Sequence, residues 1–119
     1  MDYGKVVVED ARGLLRVAFG PDSTIDDWKV SLAEVLRLAD QTGFQRVLVD
    51  VRAQESVAST FKQFEFAAQL PQKIAFAVLC DLHLEAHRFI ETVAVNRGAP
   101  VKLFFDDQTA ALQWLASHS

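Results

Sequence analysis

Apolar positions recur along this chain in two rhythms, short runs that favour strands and longer stretches spaced three and four apart that favour helices. "KVVVE" (5–9) and "LLRVAF" (14–19) are runs of the first kind, and the acid and glycine of "DARG" between them suit a tight turn, so a β-hairpin is predicted. "GPDST" then introduces a helix. Ser23 or Thr24 can cap it, Asp26 and Asp27 complement the positive end of its dipole, and Thr24 with Asp27 has capping-box spacing. Ile25, Trp28, Leu32, Val35, Leu36 and Ala39 follow at helical spacing and give one apolar face, ending at Gly43.

"QRVLVDV" (45–51) is almost continuously apolar, the pattern of a strand covered on both faces, which requires helices on each side. "TFKQFEFAAQL" (60–70) reads as a helix and "KIAFAVLC" (73–80) as a second buried strand. "EAHRFIETVAVNR" (85–97) reads as a helix closed by Gly98, with Pro100 preventing its continuation. "VKLFF" (101–105) is a further strand, after which Asp106 or Asp107 caps a helix through "TAALQWLAS". The predicted order is β-β-α-β-α-β-α-β-α: one α/β domain over residues 1–119, a mixed sheet with helices packed on it. Functional loops are expected at the carboxyl ends of the central strands, beginning at Asp50, Cys80 and Phe105.

Composition narrows the function more than the fold. A chain of 119 residues, half of them hydrophobic, suits a single compact core. The net charge of -4 and the scattered Lys and Arg argue against nucleic acid or an anionic membrane as partner, since phosphate neutralisation needs clustered cations. Cys80 is the only cysteine, which excludes an intrachain disulfide, a thiolate cluster for zinc and a CxxC redox pair. "MDYGKVVVEDARG" has no apolar core of signal-peptide length and no run reaches membrane-span length, so a cytoplasmic protein without a membrane span is expected. Phosphate-binding glycine motifs and the GxSxG nucleophile motif are absent, and no cofactor is expected.

"RVLVDVR" in mid-chain, "RFIETVAVNRG" and the closing "VKLFFDDQTAALQWL", in this element order, resemble the SpoIIAA-like fold family, relatives of the STAS domain of anti-sigma-factor antagonists. The resemblance covers nearly the whole chain. It implies a SpoIIAA-like mixed sheet with an N-terminal hairpin, and a non-enzymatic regulatory module that acts by protein contact or self-association. In the phospho-regulated branch of that family the helix after the central strand starts with Asp-Ser-Ser/Thr-Gly. Counted from Asp50, Ser59 and Thr60 fall on the hydroxyl pair, while Ala58 stands for the acid and Phe61 for the glycine.

Several residues carry candidate chemistry beside a plainer role. Ser59 and Thr60 are candidate phospho-acceptors or ordinary helix caps. Asp50 and Arg52, with Glu55, are expected to anchor the loop after the central strand. Phe61, Phe64 and Ala68 share one helix face and Phe66 and Leu70 point roughly opposite, so the latter two form a candidate partner surface unless neighbouring loops cover them. His83, His87 and Glu91 repeat every four residues as a metal stripe or as solvated side chains. With Asp81 and Cys80 they outline a remote alternative, a thiol- or metal-dependent enzyme at Cys80, His83 and His87; a buried, inert thiol is the other reading of Cys80. Arg97 either ends its helix or meets an anion. The principal alternative to a contact module is a binding module for a small apolar or acidic metabolite, in the crevice between the strand ends at Asp50 and Cys80.

Overall fold

The computed structural model describes residues 3–54, 66, 69–81 and 100–117. Among them the chain forms β1 (Val7–Glu9), β2 (Leu14–Ala18), α1 (Ile25–Thr42), β3 (Arg46–Asp50), β4 (Ala75–Cys80), β5 (Val101–Phe105) and α2 (Gln108–Ala116). The five strands make one mixed sheet in the order β1-β2-β3-β4-β5, with β1 antiparallel to β2 and the remaining neighbours parallel. The expected α/β class and mixed sheet are therefore present. Two helices are described; those expected over 60–70 and 85–97 lie outside the described residues, apart from Phe66, Gln69 and Leu70. Among the described residues no helix is long and apolar enough to cross a membrane.

The ends of α1 follow from its local sequence. Thr24 is the N-cap: its hydroxyl accepts from the Asp27 N–H while the Asp27 carboxylate accepts from the Thr24 N–H at 2.7 Å, the reciprocal pair of a capping box. Gly43 closes the helix at φ 78°, a left-handed conformation that a side chain would strain, and its N–H donates to the Ala39 carbonyl. Ile25, Trp28, Leu32 and Val35 are buried as expected. Leu36, expected on the same face, is 41% exposed, because it lies one 100° step beyond Val35 and turns off the edge of the contact stripe.

Strand alternation supplies a core on each side of the sheet. On β3, Val47 and Val49 join the cluster under α1, and Leu48 joins the cluster under α2. On β4, Phe76 and Val78 belong to the first and Ala75, Ala77 and Leu79 to the second. Side chains on both faces of β3 are thus buried, as predicted, with α2 packed on the second face. Small side chains decide how closely they pack: Ala75 and Ala77 face Ala111 and Leu115, the two buried residues of α2, and leave room for the helix to settle on the sheet. Asp107, rather than Asp106, caps α2, its carboxylate accepting from the Ala110 N–H at 3.0 Å.

Candidate functional site

On the first face α1 packs against β2. Toward β3, β4 and β5 the sheet presents Val47, Val49, Phe76, Val78, Val101 and Leu103. Phe66 and Leu70 close the far side, and between them remains a partly open cavity of about 70 Å³. Among its walls are Leu32 and Val35 of α1, Val49 and Val78 of the sheet, and Trp28. Trp28 stands between two other rings, 6.1 Å from Phe19 and 5.4 Å from Phe66, both tilted. Ser31 is the one polar residue of the described wall, and its hydroxyl already donates to the Gly4 carbonyl at 2.8 Å. No described wall residue is ionisable, so a charged molecule would leave water without a partner here. The chemistry of the space admits an uncharged, apolar occupant.

The strand ends at Asp50 and Cys80, where a crevice is expected, lie side by side in the sheet. Such a crevice belongs to a point where strand order reverses, and from β2 to β5 the order runs without reversal. Backbone bonds stitch the ends together: the Val51 N–H donates to Leu79 and the Asp106 N–H to Cys80, each at 2.9 Å. Arg52 lies across them. Its Nε and Nη2 hold the two Asp50 oxygens at 3.0 and 2.9 Å, its own N–H donates to Asp50 Oδ1, and Nη1 reaches Asp106 Oδ1 at 2.8 Å. Asp106 sits at φ 54°, a left-handed position that Asp tolerates better than most residues.

Burial pushes the Asp50 carboxyl up, but hydrogen bonds from the Arg52 side chain and backbone, with the charges of Arg52 and Arg16, outweigh it and leave the carboxyl below its ordinary value. Arg52 is raised further above its already basic value by the same partners. Because folding lowers the Asp50 pKa, its contribution to stability is complete above the unfolded value near about 4 and is lost as pH falls through the folded value. The Arg52 and Asp50 side chains are 34% and 29% exposed, so solvent weakens the pair relative to a buried one. Arg52→Ala is expected to cost about 1–2 kcal/mol at pH 7, with the difference from wild type shrinking at pH 3. Urea denaturation at the two pH values measures it; an equal cost at both would mean that the Asp50 charge is not what Arg52 serves.

No protein-family model, curated protein or solved structure matches the chain. Its sites are therefore read from their own chemistry. Asp50 and Arg52, expected as loop anchors, are in direct contact, and the structure adds Asp106 as a third member. Phe66 and Leu70, expected as a partner surface unless neighbouring loops cover them, are partly buried against the core and form part of the cavity wall. The helical step orders residues around an axis; it does not say which side meets the sheet. Cys80 is fully buried within the core cluster, its thiol donating to the Val78 carbonyl, which shields it from reagents. Ser59, Thr60, Glu55, Phe61, Phe64, His83, His87, Glu91 and Arg97 lie outside the described residues. Among the described residues no group of three or more His, Cys, Asp or Glu could hold a metal. One sequence signal did bear on the cavity: Ser31 is a lone hydroxyl beside the apolar stripe of α1, and it is buried.

Proposed function

We propose that this chain is a non-catalytic binding module that takes a small, uncharged, apolar molecule between α1, the sheet and Phe66. The observation that carries the reading is a cavity whose described walls are apolar except for one hydroxyl already engaged with the backbone. An apolar cavity of roughly 150 Å³ can stay dry and bind benzene or xenon, and about 70 Å³ suits something smaller than a benzene ring. The acidic metabolite of the sequence reading loses support, since the described wall offers it no cation. The protein-contact role implied by the SpoIIAA/STAS-like resemblance is the competing function, and the inward placement of Phe66 and Leu70 weighs for the cavity. The finer assignment of the fold as SpoIIAA-like remains part of this proposal, supported by an antiparallel first pair followed by parallel strands in chain order.

Xenon-induced shifts of methyl resonances test the cavity. Val49 and Val78, opposite one another on β3 and β4, should shift in the wild type. Changing both to isoleucine fills the space without breaking strand geometry. It is expected to stabilise the fold by about 1–2 kcal/mol and to abolish the xenon shifts. Wild-type methyls indifferent to xenon, or a destabilised double variant, would count against the cavity as a ligand site.

A further inference from the structure

Resting on that reading of the cavity, we propose that its ligand is a short unbranched aliphatic chain, which lies across the strands along the row Val17, Val49, Val78 and Leu103. Val17 on β2 is the register partner of Val49 on β3, Val49 of Val78 on β4, and Val78 of Leu103 on β5. All four line the cavity. Neighbouring strands lie about 4.8 Å apart, so the row measures about 14 Å from end to end. Val47, Phe76 and Val101, also in register with one another, line it as a second row two residues back along the strands, a distance of about 7 Å. Phe19 and Val51 add one corner beyond the ends of β2 and β3. The floor is thus longer across the strands than along most of them.

The volume decides how this floor is used. About 70 Å³ gathered into a sphere would be little wider than one strand spacing. Walled instead by side chains of four strands, the same volume is drawn out into a narrow channel along the row. A chain of methylene groups is the apolar body with that proportion. A branched isomer has equal volume but more girth, and a packed interior resists it, because widening forces the surrounding side chains off their rotamers. Every residue of both rows is apolar, so the floor selects by shape and not by hydrogen bonding.

n-Butane and isobutane, isomers of nearly equal volume, separate shape from burial alone. Their affinities are measured by methyl-shift titration on the full chain, with xenon as a compact reference. n-Butane is expected to bind roughly tenfold more tightly than isobutane, the discrimination that one misplaced methyl group produces in an apolar pocket. Val49→Ile adds a methyl group in the middle of the row and divides it. In that variant n-butane affinity is expected to fall roughly tenfold, while xenon, which needs only one end of the row, is retained. If isobutane binds as tightly as n-butane, or Val49→Ile weakens n-butane and xenon equally, the space is compact and the inference is overturned, with the cavity reading left standing. The same follows if xenon shifts the methyls and neither butane binds. Should Val49→Ile fail to fold, the ratio in the wild type decides alone. If none of the three probes binds the wild type, the cavity reading fails and takes this inference with it.

Discussion

Replacing Trp28 by alanine is expected to cost about 3–5 kcal/mol of folding stability, the range for removing a large aromatic side chain from a core. Trp28 is 5% exposed and holds two rings together, Phe19 on one side and Phe66 on the other. Aromatic contacts of this kind add about 0.5–1.5 kcal/mol beyond burial. The site cannot easily close after truncation, because it borders a space that the surrounding side chains already leave unfilled. A lower urea midpoint at an unchanged m-value is the expected signature. The enlarged cavity should then take up indole, and ligand that binds only the folded state raises the melting temperature by mass action. A loss below about 1 kcal/mol, or no rescue by indole, would show that Trp28 does not wall the cavity as described.

Leu48→Ala acts on the opposite face and is expected to cost about 2–5 kcal/mol. Leu48 is 1% exposed and packs with Leu14, Leu79 and the buried residues of α2. Alanines already occupy positions 75, 77 and 111 around it, so few larger side chains remain to fill the void. α2 is a nine-residue helix with two buried residues, and a helix that short is marginal without tertiary contacts. Hydrogen exchange should therefore show the amides of α2 losing protection more than those of α1. Trp114 offers a second readout, as its ring lies 6.0 Å from Phe104. Equal loss of protection in both helices would assign Leu48 to the stability of the whole sheet rather than to the seat of α2.

The two substitutions probe different kinds of packing. Beneath α2, alanine against alanine brings helix and sheet into close contact. Beneath α1, the helix is seated on β2 and the rest of the sheet surface does not meet it fully. That mismatch leaves one face a plain core and the other with a cavity. The Arg52 cluster belongs to neither; it ties the end of β3 to the turn before α2 and has a structural consequence that pH reveals.

Local features were legible because their causes are local. Thr24 and Asp27 cap α1 through atoms three residues apart, Gly43 ends it by its own backbone freedom, and the runs ending at Asp50, Cys80 and Phe105 become parallel strands because apolar side chains on both faces need cover. The pairing of Asp50 with Arg52 spans only two residues and was equally readable. Asp106 reaches the same arginine across 54 positions, and nothing in its immediate neighbours marks it for that role rather than for capping α2. The sequence by itself thus determined the element types, their caps and the double-sided burial of the central strands. Only the tertiary structure decided that Phe66 and Leu70 pack against the core, that Gln54 is buried, and that a cavity remains under α1. A cavity is space left by distant side chains that fail to meet, and so no stretch of sequence contains it.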